Sequence, residues 1–376
     1  MTAEPAEPSG SALAAGPPAS PARPEVEHPL HWRTSVLLLS AFMTLLLGSV
    51  LMLLPVPFVV ERPGPAINTL GSEGGHPLIS VSGHPSYPAK GALDLTTVTV
   101  AGGPGSKLLL LEALHAWFDS TLTVVPRDLV YPPGQSPETS RAQDQQDMVT
   151  SQESATVAAL HELGIAVPAT LTIHSIDPAA GATPLRPHDV ILAVDGVAVP
   201  DLDTLTARMR LVQPGSTAVV TVRRDGADQV VRAPTHASSS HRAVLGVRVD
   251  PAFHLPFQVT IRIDNVGGPS AGMMFALGII DLLTPGDLTG GQQIAGTGTI
   301  DTDGTVGPIG GIRQKMDGAR RAGASWFLAP ADNCPEVLGH LPDGLHVARV
   351  TSLHEARQAV EKIAAGKGAE LATCTR

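Results

Sequence analysis

The chain has 376 residues, a hydrophobic content of 43% and a charged content of 16%, which allows two or three domains with real cores. Its formal net charge is −10 and no dense basic stretch occurs, which argues against a nucleic-acid partner. Its two cysteines, Cys334 and Cys374, cannot form a zinc site or a disulfide framework, and the sequence leaves open whether they pair.

The N-terminal 33 residues are expected to form a disordered tail, because they are rich in proline and show no hydrophobic period. No charge occurs between Arg33 and Glu61, and the apolar run within this interval is about as long as a helix that crosses a bilayer. The run is longer than that of a cleavable signal, and no A-x-A pattern follows it. Residues 34–55 are therefore predicted to be a transmembrane signal anchor, with a buried core helix as the alternative.

The charges that flank the anchor predict its orientation. Arg23 and Arg33 precede the span, and only Arg62 follows it closely. The positive-inside rule then favours a cytoplasmic tail, with the bulk of the protein outside the cell membrane.

The fold of residues 56–160, which this orientation makes extracytoplasmic, stays open. Strand-like runs occur at 58–61, 93–101 and 122–125, and an amphipathic helix is predicted at 107–119. The GGPGSK stretch at 102–107 lacks the Walker spacing, and no other Walker-type motif occurs, so no nucleotide is expected. Residues 132–152 begin as a polar linker, and a helix is predicted to follow it.

Residues 161–236 carry a second pattern, in which short strands alternate with turns and one helix. Its features are the strand LTIHSI, the PAA segment at 178–180, DVI at 189–191, a D-G turn at 195–196, a helix at 201–211 and a hairpin around RRDG at 223–226. This pattern resembles a bacterial PDZ domain. The resemblance implies binding of extended peptides by strand addition, with Leu163–Val167 as the carboxylate loop. The alternative is a domain that only packs against its neighbour.

A turn rich in glycine and proline precedes Ser270, and an apolar stretch with the single charge Asp281 follows it. This stretch predicts a buried helix with Ser270 at its N-terminus. Free N–H groups and the helix dipole at such a terminus favour an alkoxide nucleophile and the oxyanion of acyl transfer. The alternative is an ordinary serine N-cap.

A second helix is predicted at 312–323, and Lys315 projects into its apolar stripe between Ala319 and Ala322. The other charged and amide side chains are predicted on the opposite side: Arg313, Gln314, Asp317, Arg320 and Arg321. Loss of hydration favours the neutral amine and lowers the pKa of such a lysine, which could then accept a proton from a serine hydroxyl. A lysine that snorkels to solvent is the alternative.

Together the two stretches resemble the proteolytic domain of the Lon family, over residues 237–366. The serine of that family lies in a GPSAG motif, matched by Gly268–Gly272, and its lysine in PIGG-x-x-x-K, matched by Pro308–Lys315. The resemblance implies Ser270 as nucleophile and Lys315 as general base. It also implies a homo-oligomer. Two positions depart from the family: Gly267 replaces an aspartate, and Ala295 replaces a threonine before a glycine.

The sequence therefore predicts an α/β or α+β chain: an N-terminal transmembrane helix, a PDZ-like domain, a Lon-type proteolytic domain and a tail at 367–376. We predict a membrane-anchored, ATP-independent serine endopeptidase that acts on extracytoplasmic or membrane-associated polypeptides. No cofactor or metal is expected. A Ser–His–Asp triad with His236, His241 or His254 is a second possibility for the base. A catalytically inactive PDZ scaffold is the alternative function, motivated by Gly267 and Ala295.

Overall fold

We describe the protein from a computed structural model, which covers residue 2 and residues 32–132, 134–178, 182–238, 241–264 and 266–375. Most of the predicted disordered tail lies outside these residues, as do two alanines of the predicted PAA segment. The chain divides into two compact units, Met1–Leu53 and Leu54–Arg376. Each unit is described by itself.

The described part of the first unit is a helix, α1 (Trp32–Met52). It has 21 residues and a mean hydropathy of 2.2 over its most apolar segment, and none of its side chains is buried. Such a helix is long and apolar enough to cross a membrane, although a signal sequence near an N-terminus has the same properties. Its bounds differ by two or three residues from the predicted span of 34–55.

The second unit contains the remaining helices and strands. Its first part has β1 (Pro55–Val56), β2 (Phe58–Asn68), β3 (Ser72–Glu73), β4 (His76–Pro77), β5 (Ile79–Ser82), β6 (Ala92–Ala101), β7 (Leu108–Leu109), α2 (Leu110–Phe118), β8 (Thr123–Pro126), α3 (Arg127–Val130) and α4 (Pro137–Glu162). Its middle part has β9 (Ala169–Ile176), β10 (Val190–Val194), β11 (Val197–Ala198), α5 (Leu202–Leu211), β12 (Thr217–Arg224), β13 (Ala227–Pro234), β14 (His236–Ala237), β15 (Ala243–Val244) and β16 (Val247–Phe253). Its last part has β17 (Gln258–Ile261), α6 (Gly272–Leu283), β18 (Gln293–Gly296), β19 (Thr299–Ile300), β20 (Val306–Gly307), α7 (Ile312–Arg321), β21 (Trp326–Pro330), α8 (Cys334–Leu338), β22 (His346–Val350) and α9 (Leu353–Ala364).

A six-stranded sheet in the order β22-β21-β18-β6-β2-β8 carries the predicted site. Its strands from β22 to β6 are parallel, and β2 and β8 are antiparallel to their neighbours. Helices cover both faces. On one face α6 packs between the sheet and the helices α4 and α9, and on the other face α7 packs on β2 and β6. Because the central strands β6 and β18 are covered on both sides, their residues Leu93, Leu95, Ile294 and Ala295 are fully buried.

Helix α6 is apolar because it lies in the middle of this core. Eleven of its twelve residues are buried, as the apolar sequence after Ser270, with its single charge Asp281, predicts. The described strands and helices confirm the predicted mixed α and β fold class.

The sheet brings together segments that the sequence pattern separates. Strands β2, β6 and β8 come from residues 58–126, whose fold the sequence left open, and they form half of the sheet. These strands lie outside the predicted bounds of 237–366 for the proteolytic domain, and those bounds stay a prediction. The pairing of β6 with β18 joins residues about two hundred positions apart, and local periodicity carries no signal for such contacts.

The predicted linker at 132–152 is also different in the structure. These residues include most of α4, a 26-residue helix that Ser136 caps by accepting a hydrogen bond from the Thr139 N–H. The N-terminal half of this helix was not predicted, because it is largely exposed and its sequence is therefore polar. Its C-terminal half is buried against α6 from Ala155 to Leu160.

The middle part forms a second sheet in the order β13-β12-β10-β9-β16, with β11 beside β10. All of these pairs are antiparallel, and Leu205 of α5 closes a separate core on this sheet. Strand β16 lies at one edge of this sheet and pairs with β9 from Val247↔Ile176 to Phe253↔Ala169. Strand β16, which follows the predicted boundary at 237, therefore completes the sheet of the PDZ-like domain. The boundary itself stays a prediction.

The C-terminal tail is fixed to the sheet. Cys374 forms a disulfide with Cys334 at the start of α8, which answers the question that the sequence left open. The Arg349 N–H on the edge strand β22 donates a hydrogen bond to the Ala372 carbonyl (2.8 Å), and Gly368 packs directly on the Trp326 ring. The tail thus covers the edge of the sheet.

Candidate active site

Ser270 lies in the turn that leads into α6. The helical N-cap is Ala271, which makes no side-chain capping bond, and the first helical residue is Gly272. Ser270 therefore does not act as the N-cap, and its hydroxyl is available for another partner. The Gly298 N–H donates to the Ser270 carbonyl (2.9 Å), which ties this turn to the loop after β18.

The partner of the Ser270 hydroxyl is Lys315. Its Nζ lies 2.7 Å from Ser270 Oγ and 3.0 Å from Thr297 Oγ1. The Lys315 side chain is only 3% exposed, so it does not snorkel to solvent. Lys315 lies in the first turn of α7. Gly311, the N-cap of this helix, has a left-handed φ of 66°, which turns the chain from the Gly-Gly loop into the helix.

Thr297 is the site residue that the sequence pattern missed. Its hydroxyl accepts a hydrogen bond from Lys315 and donates one to the Ser270 carbonyl (3.0 Å), so it connects both residues. Ala295 was interpreted as the loss of a threonine from the site, but the site does contain a threonine hydroxyl, that of Thr297. Thr297 precedes the next glycine, Gly298, and supplies the hydroxyl, whereas Ala295 faces the core under α7. The order Thr-Gly within GTG could have indicated it.

Burial lowers the pKa of the Lys315 amine from its usual 10.5 to about 7. The negative charge of Glu61 on β2 opposes this effect and raises the lysine pKa. Glu61 lies under the first turn of α7, where its Oε2 would be 3.5 Å from a Cβ on Gly311. Burial, and then the charge of Glu336, raise the pKa of Glu61 itself. Near neutral pH, the amine is therefore divided between its charged and neutral forms.

The second departure from the expected motif, Gly267, has a steric cause. A Cβ at Gly267 would lie 2.7 Å from the Asp144 Cβ of α4, so a side chain there would push the helix away. The Gly268 N–H donates to the Asp144 carbonyl (2.9 Å), and Ser151 of α4 donates to the Pro269 carbonyl (2.9 Å). Helix α4 thus supports the turn that carries Ser270.

The outer side of α7 differs from the helical-wheel prediction. Gln314 and Asp317 were predicted on the side of α7 opposite the apolar stripe, and both are nevertheless buried. The Gln314 amide donates to Thr123 Oγ1 on β8 (2.7 Å), and Asp317 lies 3.0 Å from His340 Nε2. A wheel treats a helix as packed on one side, whereas α7 is enclosed by β8 and by the loop after α8.

The histidines considered for a triad lie elsewhere. His254 Nε2 is 2.8 Å from Thr170 Oγ1, and His236 is in β14 beside the PDZ-like sheet. The geometry of Ser270 favours Lys315 over these residues as its proton acceptor. Among the described residues, no group of three or more His, Cys, Asp or Glu side chains could hold a metal ion.

A groove of about 390 Å³ lies between α5 and the edge strand β16. Its apolar lining includes Leu205, Met209, Val247 and Val249, and two arginines lie at its border, Arg210 and Arg242. Gly246, with φ of 66°, turns the chain from β15 into β16 beside this groove. An apolar groove along a free strand edge has the form that extended peptides require.

The predicted carboxylate loop at Leu163–Val167 is wrong. Val167 is 1% exposed, and Leu163 and Ile165 pack against the core around α6. The segment that borders the groove is residues 242–247, which come after the last hairpin of the domain and not before its first strand. The sequence reading assumed that the loop precedes β9, but the edge strand here comes from the C-terminal end of the segment.

Two protein-family models match the chain. Residues 147–235 match the model described as "PDZ domain", and residues 232–363 match the model described as "Lon protease (S16) C-terminal proteolytic domain". The similar solved structures include the PDZ domain of the SdrC-like protein from Listeria monocytogenes, at 15% identity and a TM-score of 0.19, over 21% of this chain and 86% of that one.

Curated relatives match the C-terminal part of the chain. Lon protease 1 of Bacillus subtilis (strain 168) is 30% identical over 158 residues, which are 40% of this chain and 20% of that protein. Lon protease 1 of Sorangium cellulosum (strain So ce56) is 39% identical over 108 residues, 27% of this chain and 13% of that protein. The mitochondrial Lon protease homolog of Drosophila melanogaster is 35% identical over 105 residues, which are 27% of this chain and 10% of that protein. The chain thus spans a fifth or less of these relatives.

We expect Lys315→Met to stabilise the protein at neutral pH, because methionine removes a buried amine that must lose a proton or carry an unhydrated charge. The unfolded lysine keeps a pKa near 10.5 and the folded one has about 7. The stability loss caused by Lys315 is therefore complete below pH 7 and fades as the pH rises towards 10.5. One pKa unit corresponds to about 1.4 kcal/mol, so the gain at pH 6 should be on the order of 5 kcal/mol.

The measurement is the free energy of unfolding in urea from pH 6 to pH 10, in detergent. Lys367→Met, which removes an exposed lysine, is the control for the loss of one positive charge. A difference between Lys315→Met and the parent protein that stays constant over this pH range would contradict the desolvated amine.

Proposed function

From a chain that combines a PDZ domain with a Lon-type proteolytic domain, we propose a serine endopeptidase in which Ser270 is the nucleophile and Lys315 the general base. The observation that carries this proposal is the 2.7 Å contact between a serine hydroxyl and a buried amine whose pKa is lowered to about 7. A base with a pKa near the working pH combines the correct protonation state with a sufficient driving force for proton transfer.

The proposed reaction begins with the neutral amine. In that state the Lys315 amine has a lone pair and can accept the Ser270 proton across the 2.7 Å contact, while one of its N–H groups donates to Thr297. Ser270 Oγ attacks the scissile carbonyl and forms an acyl-enzyme as the C–N bond breaks. The protonated Lys315 returns its proton to the leaving amine, and water then releases the acyl group by the same proton route.

The turn before α6 offers stabilisation for the oxyanion. The Ser270 N–H lies at the N-terminal end of a buried helix, where the helix dipole favours negative charge. We propose this N–H as an oxyanion donor. Thr297 is a positioning residue, because its hydroxyl bonds to Lys315 and to the Ser270 carbonyl.

Polypeptides are the proposed substrates, and the groove between α5 and β16 is their proposed docking site outside the catalytic turn. A peptide would add as a strand to the edge of β16, with its C-terminal carboxylate near Arg210 and Arg242. The same stretch of chain continues from β16 through β17 to the turn of Ser270. Because no Walker-type motif occurs in the 376 residues, we propose that cleavage needs no ATP and acts on extended or unfolded segments.

We propose that α1 anchors the protein as a single-pass helix with a cytoplasmic N-terminus. The length and hydropathy of α1 and the placement of Arg23 and Arg33 before it support this topology. The disulfide between Cys334 and Cys374 favours an oxidising compartment for the catalytic domain, since cytoplasmic proteins keep thiols reduced. A homo-oligomer is proposed from the resemblance to Lon-type domains alone.

The alternative of an inactive scaffold loses its motivation. Gly267 is explained by the approach of α4, and the hydroxyl that Ala295 lacks is supplied by Thr297. A scaffold would need no contact of 2.7 Å between a buried amine and an uncapped serine.

The central experiment is Ser270→Ala. We expect it to reduce cleavage of an unfolded protein such as reduced casein by at least about a thousandfold, because the nucleophile is lost. Cleavage by the parent protein should be independent of added ATP. Thr302→Ala is the control for a small substitution outside the site. Undiminished cleavage by Ser270→Ala would remove the assignment.

The pH dependence tests the base. We expect kcat/KM to rise with pH through about 7 as Lys315 loses its proton, and then to level off. Glu61→Gln removes a negative charge that holds the lysine pKa up, so the midpoint should move to lower pH. The exposed Glu370→Gln is the matched control and should leave the midpoint in place. A midpoint that moves to higher pH in Glu61→Gln would contradict the proposed electrostatics.

Kinetic constants can distinguish a role of the groove in substrate binding from a role in the chemical step. We expect Met209→Glu and Arg242→Glu to raise KM for a long unfolded polypeptide about tenfold, while kcat for a short chromogenic peptide stays unchanged. Arg248→Glu is the control, because Arg248 is exposed on β16 and does not line the groove. If both groove variants process the long polypeptide like the parent, the domain serves only for packing.

A further inference from the structure

Two adjacent aromatic side chains are unusually exposed. Trp117 is 71% exposed and Phe118 is 90% exposed, at the end of α2. Aromatic residues are scarce, at 3% of the chain, and every other Phe, Tyr and Trp from residue 54 onward is buried or half-buried. Leu111 on the same helix is 55% exposed. Exposing large apolar side chains to water is unfavourable, so an exposed apolar cluster of this kind indicates a surface that contacts a partner or a membrane.

This cluster lies next to the point where the chain leaves α1. The Leu110 N–H at the start of α2 donates to the Leu54 carbonyl (3.0 Å), and β1 pairs with β7 directly before α2. Leu54 follows Met52, the last residue of α1, by two positions, which can span no more than about 7 Å. The start of α2 is therefore hydrogen-bonded to the segment that directly follows α1 in the chain.

A second exposed leucine belongs to the same place. The Arg127 N–H at the start of α3 donates to the Pro57 carbonyl (3.1 Å), and Leu129 in this short helix is 77% exposed. We call Leu54, Leu111, Trp117, Phe118 and Leu129 the apolar patch. The buried residues of α2 are the small Ala113 and Ala116, whereas its large side chains Leu111, Trp117 and Phe118 are exposed.

The charges around the patch distinguish between kinds of surface. Residues 107–130 contain Lys107 and Arg127 against Glu112, Asp119 and Asp128, so no basic cluster is present to attract anionic headgroups. The Glu112 carboxylate accepts a hydrogen bond from the Leu109 N–H (2.9 Å). Uncharged aromatic and leucine side chains suit the interfacial layer of a bilayer, where tryptophan is enriched.

We infer that the apolar patch is a lipid-contacting surface, which inserts into the outer interface of the membrane that α1 crosses. This inference rests on the proposed membrane span. The partner is the bilayer itself, at the level where acyl chains meet the headgroups. Because α2 packs on β2 and β8, which belong to the catalytic sheet, the contact would hold the proteolytic domain at a fixed height above the bilayer.

The test uses the three tryptophans of the full chain, one at a time. Three variants keep only Trp32, only Trp117 or only Trp326, with the other two tryptophans changed to phenylalanine. Each is reconstituted into phosphatidylcholine vesicles that carry bromine at acyl carbons 6 and 7, and its fluorescence is compared with that in unbrominated vesicles. Trp32, at the first residue of α1, reports on the span, and Trp326, in the sheet, reports on collisions without insertion.

We expect the fluorescence of Trp32 and Trp117 to fall at least twofold in brominated vesicles, while that of Trp326 changes by less than a tenth. Quenching of Trp32 without quenching of Trp117 would overturn the lipid contact and leave the span intact. If neither is quenched, the span fails and the inference fails with it. A Trp117 that is shielded from both bromolipid and aqueous acrylamide would indicate a second copy of the chain on the patch, which also overturns the inference.

A second measurement covers the case in which the two substitutions in each variant disturb folding. The single variant Trp117→Phe, in an otherwise unchanged chain, should remove the part of the bromolipid quenching that Trp117 contributes, about half of the total. An unchanged quenched fraction would contradict the inference in the same way.

Discussion

The site depends on keeping one amine out of water. Lys315 is 3% exposed, and the same burial that lowers its pKa to about 7 leaves Ser270 and Thr297 as its hydrogen-bond partners. Burial on this scale requires cover from several directions. The catalytic sheet lies under α7, and α8 and the loop after it lie against the outer side of the helix. The amine's chemistry is thus a property of the whole domain rather than of one motif.

Ser270, the proposed nucleophile, is held from the opposite direction. Helix α4, which precedes the PDZ-like domain in the chain, contacts the turn of Ser270 through Ser151 and through the backbone of Asp144. Strand β16, which ends that domain, continues into β17 and the same turn. Both connections of the PDZ-like domain therefore lead directly to the catalytic turn, so the two domains form one arrangement around it.

The sequence predicts the local features well because each has a local cause. The apolar stretch after Ser270 predicts α6, and the position of Lys315 in an apolar stripe predicts its burial. The misses are contacts between distant segments. The pairing of β6 with β18, the support of Gly267 by α4 and the edge position of β16 depend on residues that are far apart in the chain. Thr297 was missed because the expected motif has a residue before a glycine, and both Gly296 and Gly298 could be that glycine. Alignment on Gly296 places Ala295 at the threonine position, whereas alignment on Gly298 places Thr297 there.

The insertion of one domain into another has a practical consequence for anyone who trims this protein. A fragment that begins near residue 232, where the Lon-type match starts, would omit β2, β6 and β8 and leave the edge of β18 unpaired. It would also lack Glu61 and the helix that braces the nucleophile. An open hydrophobic strand edge invites aggregation. A fragment that keeps the whole six-stranded sheet therefore starts near residue 54, whereas the family match alone would suggest a much shorter one.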